Sequence, residues 1–221
     1  MRLAVLVSGR GSNLLAILDA IARGDLDAEV VGVFSDKREA LALEHARHAG
    51  IPVQALSPRG FASRDEYDER LFSRVDLVQP DLIVCAGYMR LISDAAVAAR
   101  IGRMINIHPS LLPAFKGLRT HQQALDARVD VHGASVHYVT PELDGGPVIA
   151  QARVPVQAGD DAQTLATRVL RREHPLLIAT LQTIAAGRVA LIDNQVCYDG
   201  HPLATPLQLD DDNHLGEDLF V

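Results

Sequence analysis

Short apolar runs alternate with longer amphipathic stretches through the first 86 residues of the chain. Four runs rich in Val, Leu and Ile predict strands at residues 3–7, 29–34, 51–55 and 81–86. Three intervening stretches with helical periodicity predict helices at residues 13–23, 40–49 and 64–78. This order predicts parallel strands joined by right-handed helical crossovers. Ligands of such folds bind beyond the carboxyl ends of the strands, so we expect the loops that follow strands to carry the chemistry.

The pattern changes beyond residue 100. We expect strands at 103–107, 133–139 and 147–156, helices at 121–126 and 161–186, and a terminal hairpin at 189–192 and 195–198. The connection from 140 to 146 is too short for a crossover helix, so its two flanking strands should pair antiparallel. The sequence therefore predicts an α/β fold: a mostly parallel sheet with helices on both faces and antiparallel additions in the C-terminal half.

The length of 221 residues favours one large domain over two small ones. We expect this domain to span residues 1–200, with an N-terminal half at about 1–100 and a second half at about 101–200. The stretch 201–221 is rich in acidic residues, among them Asp210, Asp211, Asp212, Glu217 and Asp218. Its composition predicts a solvated, mobile tail.

Charge and cysteine content exclude several classes of protein. Twenty-one Lys and Arg against 28 Asp and Glu give a net charge of −7, which disfavours binding to nucleic acid. Two cysteines, Cys85 and Cys197, are too few for a disulfide framework and indicate a reducing, cytoplasmic location. No apolar run approaches the ~20 residues that cross a membrane, and no metal-ligand spacing such as CxxC or HExxH is present.

A glycine-rich turn, Ser8-Gly9-Arg10-Gly11-Ser12-Asn13, joins the first predicted strand to the first predicted helix. Backbone N–H groups at such a helix start bind anions. Leu14 stands where a dinucleotide fingerprint needs its third glycine, and the Gly-Lys of an ATP-binding loop is absent. Ser12 and Asn13 suit a single terminal phosphate, although a tight turn capped by either residue, without a ligand, stays open. A nicotinamide-dependent enzyme remains an alternative, because Asp36 stands at the end of the second strand, where such enzymes hold a ribose hydroxyl with an acidic residue.

Asn106 and His108 lie two residues apart at the end of a predicted strand and should share one face. An amide and an imidazole together can stabilise a carbonyl oxygen that gains negative charge and can move a proton. Asp144, in a Gly-rich loop, could reach back to His108 and favour its protonated form. A capped strand end with a structural histidine, and an ordinary turn aspartate, are the alternatives.

Five segments together resemble the phosphoribosylglycinamide formyltransferases of the folate-dependent formyltransferase superfamily, and the resemblance runs from residue 1 to about 190. They are Ser8-Gly9-Arg10-Gly11-Ser12-Asn13, Gly87-Tyr88-Met89-Arg90-Leu91, Asn106-Ile107-His108-Pro109-Ser110-Leu111-Leu112-Pro113, His132-Gly133-Ala134-Ser135-Val136-His137 and Leu143-Asp144-Gly145-Gly146-Pro147. The resemblance implies a Rossmann-like formyltransferase fold. It also implies formyl transfer from 10-formyltetrahydrofolate, as co-substrate, to the amine of glycinamide ribonucleotide in purine biosynthesis. Small-molecule substrates, no metal, and a monomer or homodimer are expected.

The resemblance also implies the roles of individual residues. The catalytic set is Asn106, His108 and Asp144, the phosphate is bound by Gly11, Ser12 and Asn13, and Glu173 contacts the ribose. Folate would be bound by Arg64, Met89, Arg90, Leu91, Ile92, Thr140, Pro141, Glu142 and Leu143. The N-terminal half would then bind the mononucleotide, and the second half would bind folate and catalyse. Roles without a ligand remain open for four of these residues: a surface charge for Arg64, core packing for Met89 and Leu91, and a solvated helix face for Glu173.

Two segments depart from the family pattern, and two other functions remain open. Pro175 follows Glu173-His174 directly in what looks like a segment shortened by two residues, which puts the helix geometry there in doubt. Arg119 interrupts a loop at 113–121 that is expected to be a lid, and it receives no role. His121 and His137 are expected to support the site. The alternatives are a 10-formyltetrahydrofolate hydrolase with the same catalytic set and a non-catalytic nucleotide-binding module. A methionyl-tRNA formyltransferase is not expected, because it would add a tRNA-binding domain and a basic surface.

Overall fold

The computed structural model describes residues 1–216, which form two compact units. The first unit comprises Met1–Asn106 and Val139–Pro141, and the second comprises Ile107–Tyr138 and the chain from Glu142 onward. The change between units after residue 106 falls near the expected division at about residue 100, but residues 139–141 return to the first unit. That residues 1–200 form a single domain stays a prediction.

The first unit contains five strands and four helices. The strands are β1 (Arg2–Val7), β2 (Glu29–Ser35), β3 (Val53–Ala55), β4 (Leu82–Cys85) and β5 (Met104–His108), whose last two residues belong to the second unit. The helices are α1 (Ser12–Ala22), α2 (Leu41–His48), α3 (Arg64–Asp76) and α4 (Asp94–Ala98). The sequence did not predict α4, because five residues are too few to show helical periodicity.

All pairings within the first unit are parallel. β1 pairs with both β2 and β4, β3 extends the sheet beyond β2, and β5 pairs with β4. The order is therefore β3-β2-β1-β4-β5, and the chain turns from one side of β1 to the other between β3 and β4. The carboxyl ends of β1 and β4 flank this switch point, where open α/β sheets bind their ligands.

Apolar side chains of the strands and of α3 form the core of this unit. Leu6, Phe34 and Met104 are buried in the sheet, and α3 presents Tyr67 and Leu71 among other buried residues to the same cluster. These α3 residues recur at helical spacing, which is why a helix forms there and why its opposite face is polar.

The second unit is built on an antiparallel pair, as the short connection predicts. β6 (Val131–Tyr138) pairs with β7 (Val148–Pro155). In the part of this unit that the structure describes, the helices are α5 (Thr120–Asp126) and α6 (Ala162–Ala185). The Asp161 carboxylate accepts from the Thr164 N–H at 2.7 Å and caps α6. The prediction of a mostly parallel α/β sheet with antiparallel additions is confirmed.

A separate antiparallel sheet follows α6. It contains β8 (Val189–Ile192), β9 (Gln195–Tyr198) and β10 (His201–Pro202). Asp193 and Asn194 join β8 to β9 with φ angles of 49° and 62°, which match the twist of a two-residue hairpin turn. The predicted terminal hairpin is therefore confirmed.

The expectation of a mobile acidic tail is wrong for the part of it that the structure describes. β11 (Leu207–Leu209) pairs parallel with β7, and β12 (Leu215–Gly216) pairs antiparallel with β11. Leu207 and Leu209 are buried, and their burial offsets the cost of ordering a polar segment. Arg172 of α6 donates to the carbonyl oxygens of Leu209 and Asp210 at 3.2 and 2.6 Å. The expectation for Glu217 and Asp218 lies outside the described residues.

Candidate active site

The glycine-rich turn after β1 needs glycine at position 11. Gly11 is the N-cap of α1 with a φ of 83°, a left-handed conformation that side chains disfavour. A Cβ on Gly11 would also lie 2.5 Å from the Ala42 Cβ. The Ala42 N–H donates to the Gly9 carbonyl at 3.1 Å, which holds α2 against the turn. The turn therefore brings a helix start, with its anion-binding N–H groups, to the switch point of the sheet.

The capping role considered for Ser12 and Asn13 is wrong. The N-cap is Gly11, which precedes both residues, because the helix begins at Ser12, one residue before the predicted start. Ser12 is half-buried and Asn13 is buried. Both residues lie in the first turn of α1, beside the N–H groups that would bind a phosphate.

The segment that follows β4 presents apolar side chains to solvent. Met89 is 65% exposed and Leu91 is 53% exposed, so the interpretation of these two as core residues is wrong. Ile92 is partly buried against the core of the first unit. Exposed apolar side chains of this kind suit an apolar, flat ligand.

Two of the predicted folate-binding residues are arginines, Arg90 in this segment and Arg64 in α3. The Arg90 guanidinium lies 4.9 Å from the centroid of the Tyr67 ring, a cation–π distance. Arg64 is exposed at the first position of α3, directly after Ser63, which caps the helix by accepting from the Glu66 N–H at 3.1 Å. Burial raises the pKa of Asp68, while the Ser93 N–H and the charges of Arg90 and Arg64 oppose that shift. The structure thus groups both predicted folate-binding arginines around one buried carboxyl group.

The remaining predicted folate residues lie in one short loop. Thr140 is half-buried in the first unit, together with exposed Pro141. Glu142 and Leu143 belong to the second unit and are exposed. The Glu142 carboxylate accepts from Lys116 Nζ at 2.7 Å.

Asn106 and His108 occupy the end of β5, two residues apart as the sequence predicts. Asn106 is half-buried, and His108 is 5% exposed. The alternation of a strand therefore places the two side chains on the same side of β5.

Asp144 does reach His108. Asp144 Oδ2 lies 3.5 Å from His108 Nδ1, an ion-pair distance, and both side chains are at least nine-tenths buried. The same oxygen accepts from the Gly117 N–H at 2.9 Å. Asp144 has a φ of 45°, so it is a turn residue as well as the partner of the histidine. The hydrogen bond and the ion pair fix where the carboxylate points.

The other ring nitrogen of His108 also has a protein partner. His108 Nε2 lies 3.0 Å from the carbonyl oxygen of Phe115, which has a φ of 55°. A carbonyl oxygen can only accept, so Nε2 carries a proton. Neither Phe115 nor Gly117 could be identified from sequence, because both contribute backbone atoms.

His137 stands on the far side of Asp144. Its Nδ1–H donates to the Tyr138 carbonyl at 2.9 Å, and its Nε2 lies 3.7 Å from Asp144 Oδ1. Burial lowers the pKa of His137 to about 4, against the opposing charge of Asp144, so the ring is neutral at pH 7. Asp144 therefore lies between two imidazoles. That His137 supports a catalytic site stays a prediction.

His121 and His132 form a second imidazole pair in the same unit. His121 Nδ1 and His132 Nε2 are 3.2 Å apart. Burial lowers the pKa of both rings, that of His132 to about 4, and the neighbouring histidine charges lower both further. One ring must donate and the other accept, which two neutral imidazoles can do.

A buried polar network holds the loop that follows β5. Ser135 Oγ donates to the Ser110 carbonyl at 2.7 Å and accepts from the Leu112 N–H at 3.0 Å. Gln151 Nε2 donates to the Leu112 carbonyl at 2.9 Å. Because this loop leads from His108 to Phe115, the network restrains both partners of their hydrogen bond.

Glu173 lies within an unbroken α6. The helix runs from Ala162 to Ala185 with Pro175 inside it, so the expected disturbance after Glu173 does not interrupt the helix. Glu173 is 9% exposed, and the interpretation as a solvated face is therefore wrong. Arg119 is the exposed N-cap of α5 with a φ of 58°.

Residues 1–216 contain neither a cluster of metal ligands nor a membrane-spanning helix. No group of three or more His, Cys, Asp or Glu side chains in this range could hold a metal ion. No helix in the same range is long and apolar enough to cross a membrane.

Comparison with known proteins decides the family. A sequence model of the family described as formyl transferase matches residues 1–181. The chain belongs to the formyl transferase family. It is 47% identical to the phosphoribosylglycinamide formyltransferase of Escherichia coli, with 92% of this chain and 96% of the relative covered. The resemblance inferred from sequence motifs is thereby confirmed.

Solved structures of formyl transferases support the fold. The phosphoribosylglycinamide formyltransferase of Coxiella burnetii superimposes with a TM-score of 0.89 at 46% identity, covering 92% of this chain and 96% of that chain. A formyltetrahydrofolate deformylase from Pseudomonas syringae gives a TM-score of 0.82 at 26% identity, covering 89% of this chain and 65% of that chain. The chain is therefore more similar to these two formyltransferases than to this deformylase.

Proposed function

We propose that this chain transfers the formyl group of 10-formyltetrahydrofolate to the amine of glycinamide ribonucleotide. The products are formylglycinamide ribonucleotide and tetrahydrofolate. The observation that carries the proposal is the buried His108–Asp144 pair, in a chain 47% identical to the E. coli phosphoribosylglycinamide formyltransferase. The alternative, a hydrolase that passes the formyl group to water, is supported by the weaker likeness to a deformylase.

The proposed reaction begins with attack of the ribonucleotide amine on the formyl carbon. A C–N bond forms, and the carbonyl oxygen becomes the oxyanion of a tetrahedral intermediate. Asn106 Nδ2 and a ring N–H of His108 donate to this oxyanion. Hydrogen-bond donors placed where negative charge develops in the transition state usually make the largest single contribution to the rate of such reactions. The bond from carbon to the folate nitrogen then breaks, and a water relays the proton from the attacking amine to that nitrogen. This route needs neither a metal nor a covalent enzyme intermediate.

Asp144 orients His108 in this scheme. Its carboxylate faces Nδ1 while Nε2 lies against the Phe115 carbonyl, so both ring nitrogens have partners that fix the orientation of the imidazole. Nε2–H donates to the Phe115 carbonyl in the structure. When substrate binds, the substrate oxygen takes the place of that carbonyl and accepts the hydrogen bond instead.

The two substrates would be recognised by different loops. Gly11, Ser12 and Asn13 bind the phosphate through the start of α1, and Glu173 contacts the ribose. Folate is bound by the exposed apolar segment after β4, by the two arginines near Asp68 and by the loop that contains Asp144. The predicted folate residues are Arg64, Met89, Arg90, Leu91, Ile92, Thr140, Pro141, Glu142 and Leu143. The monomeric or homodimeric state and the cytoplasmic location stay predictions.

The test incubates the purified protein with 10-formyltetrahydrofolate, with and without glycinamide ribonucleotide. Folate absorbance follows turnover, and mass spectrometry identifies the products. Formyl transfer that depends on the ribonucleotide is the expected result. Folate turnover at the same rate without ribonucleotide would replace the proposal with the hydrolase, and no turnover with either mixture would refute both.

A further inference from the structure

Ser8 links two loops of the first unit through a buried hydroxyl. It is the first residue of the glycine-rich turn, directly after β1, and is 3% exposed. Its Oγ lies 2.6 Å from Asp36 Oδ1 and 2.9 Å from the Met89 nitrogen. Its backbone N–H donates to the Gly87 carbonyl at 3.1 Å. Three contacts therefore join one residue to the end of β2 and to the segment after β4.

The direction of these hydrogen bonds follows from their donors. A backbone N–H can only donate, so Ser8 Oγ accepts from Met89. The hydroxyl proton is then directed to the Asp36 carboxylate, and a charged acceptor strengthens such a bond. Asp36 is 7% exposed, which makes the loss of its donor costly. The Met89 N–H thus donates to Ser8 and the Ser8 hydroxyl donates to Asp36, so the donor and acceptor of each hydrogen bond in this chain are fixed.

This chain sits at the functional edge of the sheet. β2, β1 and β4 are neighbours, and Ser8, Asp36 and the Gly87–Met89 segment follow their carboxyl ends. Ser8 opens the turn that would bind phosphate, and Met89 opens the exposed segment that would bind folate. Asp36 Oδ1 accepts from Ser8, so the carboxylate has a partner within the protein itself.

We infer that Ser8 is a positioning residue for folate. Its hydroxyl, oriented by Asp36, fixes the backbone at Met89 and so pre-orders the segment Met89, Arg90, Leu91 and Ile92 before the co-substrate arrives. The inference rests on the proposed function, because that function assigns folate to this segment. Without the hydroxyl, the Met89 N–H loses its acceptor and the segment is no longer ordered in advance. Folate binding must then order the segment, and this lowers the affinity for folate.

Ser8→Ala tests the inference. The dissociation constant of tetrahydrofolate, measured by calorimetry, should rise about three- to tenfold, the value of one net hydrogen bond. The KM for 10-formyltetrahydrofolate should rise with it, while kcat at saturating folate changes less than about threefold. A role confined to stability would lower Tm and leave the tetrahydrofolate affinity unchanged, which would overturn the inference.

Two substitutions at Asp36 test whether this residue acts by orienting the Ser8 hydroxyl. Asp36→Asn keeps an oxygen that accepts from Ser8 and should bind tetrahydrofolate nearly as wild type does. Asp36→Ala removes the acceptor and should resemble Ser8→Ala. If the two Asp36 variants bind tetrahydrofolate equally, the hydroxyl does not act through Asp36 and the inference fails. This pair decides the question even where Ser8→Ala does not fold.

Ser35→Ala is the matched control. Ser35 is a fully buried serine at the end of β2, and its hydroxyl accepts from the Lys37 N–H at 3.1 Å without contacting Met89. Its loss should leave tetrahydrofolate affinity unchanged, and an equal loss of affinity would overturn the specific role of Ser8.

The outcomes also separate this inference from the proposed function. Ribonucleotide-dependent transfer by the wild type, together with wild-type folate affinity in Ser8→Ala, would overturn the inference and leave the function standing. Weakened tetrahydrofolate binding in Ser8→Ala, in a protein that transfers nothing to the ribonucleotide, would overturn the function and leave the inference standing.

Discussion

Acid should destabilise this protein through two buried imidazoles of the second unit. His132 and His137 are 0% and 2% exposed, and burial lowers the pKa of each from 6.5 to about 4. Between these two values, the unfolded chain binds a proton at each position and the folded chain does not. The free energy of unfolding must therefore fall as the pH falls through this window.

The size of the effect follows from the same values. A shift of one pKa unit corresponds to about 1.4 kcal/mol, so lowering the pH from 7 to 5 should cost about 2 kcal/mol for each histidine. The lowered pKa values of His121 and His174 act in the same direction. The raised pKa of Asp68 acts in the opposite direction, because the folded state then favours its protonated form. Asp160 and Asp199, whose pKa values are lowered by arginine partners, lose their contribution only below this window.

Urea unfolding at a series of pH values measures this linkage. Wild type, His132→Gln and His137→Gln should be compared between pH 7 and pH 5, with the change in unfolding free energy as the readout. Each variant should lose about 2 kcal/mol less than wild type over this interval, whatever its stability at pH 7. Equal pH slopes in all three proteins would refute the reasoning that these rings are buried neutral.

Three further predictions concern the site and the C-terminal strands. Asn106→Ala and His108→Ala should each lower kcat by ~10²–10³ with an unchanged circular dichroism spectrum, since each removes an oxyanion donor, and near-normal turnover would exclude that residue from catalysis. Gly11→Ala should raise the KM for the ribonucleotide and lower stability by about 1–2 kcal/mol. Gly24→Ala is its control, because Gly24 has a similar φ of 78° but open space around its Cβ position, and an equal KM change there would contradict the argument from close approach. Leu209→Asp should lower the unfolding free energy by about 2 kcal/mol or more, because it buries a charge against β7, and unchanged urea unfolding would mean that β11 contributes no stability.

Elements with a strong local pattern could be predicted from the sequence. The alternation of strands and helices in the first unit, and the short connection between β6 and β7, fix the type of each element before any long-range contact is known. The short elements could not be predicted in this way. Five residues of α4 show no periodicity, and three residues of β11 form a strand because β7 and β12 supply its hydrogen bonds. The apolar-polar-apolar order Leu207-Gln208-Leu209 was the available signal, and the acidic residues after it obscured it.

The residues of the candidate site could likewise be predicted only in part. Motifs identify side chains with distinctive chemistry, such as Asn106, His108 and Asp144, but they do not show which backbone atoms meet them. The Phe115 carbonyl, the Gly117 N–H and the Met89 N–H are invisible to sequence reasoning, since any residue could supply them. Asp36 was interpretable only through a dinucleotide pattern, because its real partner, Ser8, lies 28 residues away.

The small strands at the end of the described chain change which edge the sheet of the second unit exposes. Without β11, the eight-residue β7 would present a row of unpaired backbone groups on one side, and such edges recruit strands from other molecules. With β11 and β12 in place, the outermost strand among residues 1–216 on that side has two described residues. Shortening the chain before residue 207 should therefore promote aggregation before it impairs catalysis, and concentration-dependent light scattering would detect it first.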